Sequence, residues 1–249
     1  MQKQLVLFSG TTCQIAGLKA YLGNCSQDNL ITMDVLCHGV ASKQIVQAFI
    51  KSKEKQFGKE VSKFLFRVND ENRGWYNGGG TRMHLFFGDG TSVIEPGRYD
   101  TFFLGFNNNF FLRESCYRCK FIGVERISDF TLADYWGCNN PEVSPEQLKL
   151  GVSLILVNTE KAKDILSRLQ KDVKYYLIDG TRAIAYNRAL STPQKRPAIR
   201  NVFFDEIQKY GYDKVVKRQF RMLFFKRQIK KNLYVICPRK IVSKYIHEI

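Results

Sequence analysis

Apolar residues along the chain come in short runs that stop at glycine, and between them the period lengthens from two to three or four. Residues 4–9 (Gln-Leu-Val-Leu-Phe-Ser) are a run ended by Gly10 and read as a buried strand. Ile15, Leu18 and Leu22 then recur at helical spacing over 14–22, and Gly23 is placed to stop that helix. A second run, Leu30-Ile-Thr-Met-Asp-Val-Leu36, ends in Cys37-His38-Gly39. Ser42 is then in position to cap a helix over 43–56 that carries Ile45, Val46, Phe49 and Ile50 on one face. Strand, turn, helix, repeated, is the opening of a parallel α/β fold.

The middle follows another rhythm. Residues 61–68, 81–87 and 92–94 read as strands, with Phe87-Gly-Asp-Gly-Thr91 as a hairpin turn. A glycine-rich loop with aromatics, Arg73 to Gly80, separates the first two. Residues 99–112 are aromatic and predict a helix leading into Cys116-Tyr-Arg-Cys119. Residues 130–137 read as a strand entering a loop, and 151–158 as another strand. A helix over 160–171 should bury Ile165, Leu166 and Leu169, and from about 200 the chain reads as helical and basic, interrupted at Pro238. The expectation is an α/β fold: a mainly parallel sheet with flanking helices, an inserted antiparallel hairpin region and a basic helical tail. Residues 1–200 would be one domain and 201–249 the tail.

Composition adds three constraints. With 249 residues, 44% apolar and 25% charged, the chain is of ordinary globular make-up. No stretch approaches the roughly 18 charge-free apolar residues of a spanning helix, and the opening residues lack a signal-peptide core, so a soluble cytoplasmic protein is expected. The net charge of +16 is uneven. Residues 214–249 hold eleven Lys or Arg against Glu248 alone, a net of +10, whereas the first 213 residues carry 28 basic and 22 acidic side chains.

Seven cysteines, at 13, 25, 37, 116, 119, 138 and 237, are too few for a disulfide framework in a chain this long. Cys13 and Cys37 each follow an apolar strand at a turn into a helix, and neighbouring parallel strands present such turns to one crevice. Cys116 and Cys119 form a C-x-x-C pair. Together they make a four-thiolate set suited to zinc or an iron–sulfur cluster. Two other readings stand beside it: Cys13 and Cys37 as small buried hydrophobes, and the C-x-x-C as a redox pair.

Longer blocks bring a family into view. Leu7-Phe-Ser-Gly-Thr-Thr-Cys-Gln-Ile-Ala-Gly-Leu18, Asp34-Val-Leu-Cys-His-Gly-Val40, Leu112-Arg-Glu-Ser-Cys-Tyr-Arg-Cys-Lys-Phe121 and the stretches 126–137 and 151–159 occur in order. They resemble the carboxy-terminal domain of the coenzyme F-420 hydrogenase/dehydrogenase beta subunit family. That resemblance implies an iron–sulfur flavoprotein oxidoreductase, with a 4Fe–4S cluster on Cys13, Cys37, Cys116 and Cys119, FAD, and electron transfer to a hydride-accepting substrate. Bacterial relatives belong to polysaccharide gene clusters. It gives no role to Cys25, Cys138 or Cys237. Arg113, Arg118, Lys120 and Arg126 are candidates to offset the cluster's negative charge.

Candidate flavin contacts are the Gly10-Thr11-Thr12 turn and Asp134 and Trp136; Trp136 and Tyr135 read equally as core aromatics. His38, next to a candidate ligand, either relays a proton to reduced flavin or orients the turn. The chain departs from the family pattern at Thr12, Ala41 and Ala133. It also begins at the strand before Gly-Thr-Thr-Cys, without the ferredoxin module of bacterial members, so a fragment or a degenerate member is expected, dependent on a ferredoxin-like or other electron-donor protein. A homo-oligomer is a further expectation.

The alternative function is a zinc-stabilised binding module. Phe220, Phe224, Phe225 and Tyr234 lie among the tail's cations, as in nucleic-acid contact, but no nucleic-acid motif accompanies them. Val215, Val216, Phe220, Leu223 and Phe224 recur near helical spacing beside basic residues, so the tail either lies on an anionic membrane surface at the inner face or packs on the domain.

Overall fold

A computed structural model describes residues 4–68, 82–97, 100–221 and 225. In chain order the first elements are β1 (Val6–Thr11), α1 (Thr12–Leu22), β2 (Leu30–Val35), α2 (Lys43–Phe57), β3 (Val61–Val68), β4 (Arg82–Phe87), β5 (Ser92–Pro96) and α3 (Thr101–Asn107). A 3-10 turn at Glu114–Arg118 leads to β6 (Phe130–Asp134), α4 (Pro145–Leu150), β7 (Ser153–Val157), α5 (Glu160–Arg168), α6 (Gly180–Tyr186) and α7 (Arg200–Tyr210). The glycine-rich loop at 73–80, Cys237 and the tail beyond 225 lie outside the described residues. Among the described residues no helix is long and apolar enough to cross a membrane.

The described residues fall into two compact units. The first draws on the described residues up to Ala41 and on Leu112–Arg196, the second on Ser42–Val68, on the described residues between Arg82 and Phe111, and on those from Pro197 onward. In the first unit the sheet order is β1-β2-β6-β7. β1, β2 and β6 run parallel, with Val6 opposite Leu30 and Met33 opposite Phe130. β7 is antiparallel to β6, Asp134 opposite Ser153. The link from β6 to β7 contains only the short α4, less than the crossover helix a parallel return needs. Gly151, at φ +98°, reverses the chain instead, and the Tyr135 N–H donates to the Val152 carbonyl at 2.8 Å to extend the ladder.

Two expectations are corrected here. β1 is an exposed edge strand: Leu5 and Leu7 are 66% and 58% exposed. Leu169, expected in the core, caps α5 and is exposed, while Ala162 is the buried residue of that helix. β2 alternates as a half-buried strand, yet its inward positions are Leu30, Thr32 and Asp34. Two of those three are polar, so partners must exist.

The second unit is built on the antiparallel sheet β3-β4-β5. Its turn is the expected hairpin, closed by the Phe87 N–H to the Thr91 carbonyl at 2.9 Å. Met83, Leu85 and Phe87 of β4 point to one face and are buried, with Ile45 and Phe49 of α2 also in this unit's core. Ser42 occupies the N-cap position of α2 without a side-chain capping bond.

The helix expected over 99–112 is only α3, because the chain turns at Asn109 (φ +61°) and folds Phe111 back onto Gly105. A Cβ at Gly105 would sit 2.1 Å from the Phe111 ring. Residues 212–221 are helical, and their apolar face is spent inside this unit. Val215, Val216 and Phe220 are buried, and the Phe220 ring lies 5.3 Å from that of Phe110 and 5.8 Å from that of Phe203. Of the two readings of the tail, its described part follows the packed helix rather than the membrane surface; Leu223, Phe224 and Tyr234 lie outside it.

Candidate functional site

Parallel strands β1 and β2 end side by side, Thr11 opposite Val35, so the residues just beyond them meet at one edge of the sheet. Cys13 falls in the first turn of α1 and is exposed. Cys37, two residues past β2, is half-buried. The segment after Cys37 is tied to the C-x-x-C segment by backbone pairing. The Arg113 N–H donates to the Val40 carbonyl at 2.8 Å, and Ala41 bridges Leu112. Within Cys-Tyr-Arg-Cys, Tyr117 is the buried anchor, its hydroxyl accepting from the Leu112 N–H at 3.1 Å. Cys116 and Cys119 are half-buried on either side of it.

The Cys37 thiol comes within electrostatic reach of the other three. Burial pushes the Cys37 thiol up, a backbone hydrogen bond from Gly39 partly offsets that, and Cys116, Cys13 and Cys119 each push it higher. Val40 donates its N–H to the Cys116 sulfur at 3.4 Å. The loop can aim both N–H groups because residue 39 is glycine: its φ is +145°, and a Cβ there would lie 2.8 Å from Leu112. A cavity of about 40 Å³ opens at this point, lined by Cys37, His38, Gly39, Cys116, Cys119 and, from a distant segment, Ala189 and Gln194.

Among the described residues no three His, Cys, Asp or Glu side chains converge tightly enough for a single metal ion. Four thiolates on one zinc would stand about 3.8 Å apart, from Zn–S bonds of about 2.3 Å in a tetrahedron. In a cubane each thiolate binds a different iron, so the sulfurs stand wider apart. The Cys37 thiol feels the other three, and backbone N–H groups donate to two of the four sulfurs, Cys37 and Cys116.

Beneath the site lies a buried polar network. The Arg126 and Asp34 side chains are 1% and 0% exposed, with Nη2 to Oδ2 at 2.6 Å. Arg126 also donates to the Phe121 carbonyl at 2.8 Å and to Thr131 Oγ1 at 3.3 Å, and Ser128 donates to Asp34 Oδ1 at 2.9 Å. Thr12 donates its hydroxyl to Asp34 and accepts from Arg126. Thr12 is buried, and its hydroxyl is taken up inside the unit. Arg126 is likewise committed to Asp34, whereas Arg113, Arg118 and Lys120 are exposed.

The second half of the candidate set is elsewhere. Asp134, Tyr135 and Trp136, at the end of β6, line a pocket of about 280 Å³ together with residues 150–153. Arg182 of α6 donates to the Gly137 carbonyl and its guanidinium lies 4.9 Å from the Tyr186 ring. Gly137, at φ +74°, sits against that ring. This clamp holds the loop that shapes the pocket. Tyr135 is buried in a cluster with Val143, Leu154 and Cys138, so burial raises its phenol, with the Cys138 thiol adding to the shift. Cys138 is thus a core residue, and Cys25 is exposed.

Of the expected site residues, Cys37, Cys116, Cys119 and His38 line one cavity, Asp134 and Trp136 line another, and Gly10, Thr11, Thr12 and Cys13 line neither. Pattern reading missed Ala189 and Gln194, which carry no motif, and Arg182, whose link to Gly137 spans 45 positions.

No curated protein matches the chain. One matching solved chain belongs to the F420-reducing NiFe hydrogenase complex from Methanosarcina barkeri, at 15% identity and a TM-score of 0.39. The match covers 84% of this chain and 64% of that one, so this chain spans under two thirds of its length. Residues 3–181 match the family model for the carboxy terminus of the coenzyme F420 hydrogenase/dehydrogenase beta subunit. With that match over most of its length, the chain belongs to the coenzyme F420 hydrogenase/dehydrogenase beta subunit family, through the family's carboxy-terminal domain.

Proposed function

We propose that this chain is the redox domain of an iron–sulfur flavoprotein, with Cys13, Cys37, Cys116 and Cys119 holding a 4Fe–4S cluster. The observation that carries the reading is that Cys37, Cys116 and Cys119 line one cavity, while Cys13 follows the strand that ends beside the one leading to Cys37. Backbone N–H groups from Gly39 and Val40 aimed at two of the sulfurs support it. A cluster exchanges single electrons and a flavin one or two, so together they convert hydride chemistry into one-electron traffic.

On this reading the chain's own residues have separate tasks. The turn at 37–41 and the segment 116–119 supply sulfur ligands and their hydrogen bonds. Tyr117 and the Leu112 contact keep that segment in register, and the cavity walls at Ala189 and Gln194 limit water. FAD is assigned to the pocket of Asp134, Trp136 and residues 150–153, whose size and aromatic edge suit part of an isoalloxazine. His38 lines the cysteine cavity and is assigned to orienting that turn. The electron donor is assigned to a protein partner with a one-electron centre of its own. A zinc-stabilised binding module is the competing reading.

The test is anaerobic reduction of the full chain with dithionite, followed by FAD. The reading expects a reduced-cluster EPR signal that decays as flavin absorbance bleaches. Stoichiometric zinc with no cluster signal after iron–sulfide reconstitution overturns it, and a cluster that neither binds nor reduces FAD overturns the flavin half.

A further inference from the structure

We infer that Thr11 is a positioning residue for the cluster proposed above, its hydroxyl setting how readily the cluster accepts an electron through a hydrogen bond to the Cys13 sulfur. This rests on the reading of Cys13 as a ligand and goes beyond it.

Thr11 closes β1 immediately before α1, and one backbone and two side-chain contacts hold it. Its N–H donates to Gln14 Oε1 at 2.8 Å, and its hydroxyl lies 3.0 Å from Gln14 Oε1 and 3.1 Å from Cys13 Sγ. The hydroxyl has one proton for two acceptors. With Cys13 as a free thiol, the S–H donates to Thr11 Oγ1 and the O–H donates to Gln14. A metal-bound thiolate has no proton and only accepts, so the O–H then turns to the sulfur while Gln14 keeps the Thr11 N–H. The geometry serves both settings without moving a heavy atom.

Gly10 belongs to the same device. A Cβ there would lie 2.9 Å from Gln14 Oε1, so the missing side chain leaves room for the carboxamide that holds Thr11. The segment Gly-Thr-Thr-Cys-Gln is accounted for within the site. Gly10 admits Gln14, Gln14 holds Thr11, Thr11 serves Cys13, and Thr12 ties the helix start to Asp34.

The chemistry gives a direction. One-electron reduction adds a negative charge spread over the sulfurs, with no bond made or broken. A donor on a sulfur therefore stabilises the reduced form more than the oxidised form. The hydrogen bonds from Gly39 and Val40 are backbone and survive substitution, whereas the Thr11 hydroxyl can be deleted by an isosteric change.

The experiment is an EPR-monitored potentiometric titration of the full chain, with dithionite as the electron source through mediators. Thr11→Val should lower the reduced-to-oxidised ratio at the wild-type midpoint about tenfold, the scale of a hydrogen bond to a charged group, which for a one-electron couple is about 59 mV more negative. Thr11→Ser should restore the wild-type midpoint. Gln14→Met, which removes the group that holds Thr11, should shift it in the same direction by a smaller amount and keeps the test open if Thr11→Val does not assemble. An unchanged midpoint in Thr11→Val, or equal shifts in Val and Ser, overturns the inference while the cluster stands. A wild-type chain that assembles no cluster overturns the proposed function as well.

Discussion

Deleting the Asp34 carboxylate probes whether the buried network carries the site. In Asp34→Ala the Arg126 guanidinium, 1% exposed, loses its counter-charge at 2.6 Å, and Thr12 and Ser128 lose their acceptor. Water cannot reach the stranded cation, so its desolvation is no longer offset. Breaking one side of such a pair costs about 3–5 kcal/mol. For a chain of this length each kcal/mol lowers Tm by about 2–4 °C, so a fall of about 6–20 °C is expected. Arg126→Lys keeps the charge but gives up the fork that reaches the Phe121 carbonyl and Thr131, at 2.8 and 3.3 Å. It should cost about 1–3 kcal/mol. The assay is thermal unfolding by circular dichroism, with retained iron measured beside it. Thr12 precedes Cys13 and Asp34 stands three residues before Cys37, so iron should be lost in parallel with stability. A Tm drop below about 2 °C for Asp34→Ala, or a larger one for Arg126→Lys, would refute the reasoning.

Three further outcomes follow from local geometry. Gly39→Ala should lower stability and iron content together, since the new Cβ meets Leu112 at 2.8 Å and φ +145° disfavours a side chain; unchanged iron by metal analysis would contradict this. Burial opposes ionisation of Asp129, but hydrogen bonds from the Thr32 N–H, the Thr159 hydroxyl, the Thr32 hydroxyl and Lys161 outweigh it and hold the carboxyl below its ordinary value. A depressed native value contributes stability above the unfolded pKa of about 3.9 that is lost as pH falls through the native one, so Asp129→Asn should flatten the acid limb of a stability–pH curve. In the metal-free chain at pH about 8, iodoacetamide should label exposed Cys13 and Cys25 before Cys37, whose thiol burial pushes up; mass mapping that finds Cys37 first would count against the described loop.

The parts that patterning captured are those set by local chemistry. The glycine stop at Gly23, the helical period of Ile45 and Phe49, and the turn at 87–91 are all visible in a few consecutive residues. Cysteines after two successive strands could be placed together because parallel strand ends are neighbours. Long-range pairing was hidden. Thr32 and Asp34 share the inward face with Leu30, which signals that partners are needed, but nothing local names Asp129 or Arg126, 97 and 92 positions away. The exposure of Leu5 and Leu7 was misread because an apolar run records hydrophobicity and not sheet position. For 212–221 the spacing left a membrane-facing and a packed helix both open, and the packing of Phe220 on Phe203 decides where its apolar face goes.

The central claim is that four particular thiolates hold one iron–sulfur cluster, and metal analysis of single-cysteine variants tests it most directly. The anaerobically purified chain should contain about four iron and four acid-labile sulfide. Serine at position 13, 37, 116 or 119 should deplete both, whereas Cys25→Ser and Cys138→Ser should leave them at the wild-type level. Zinc at one per chain without sulfide, or loss of iron in Cys25→Ser or Cys138→Ser with retention in Cys116→Ser, would contradict the account.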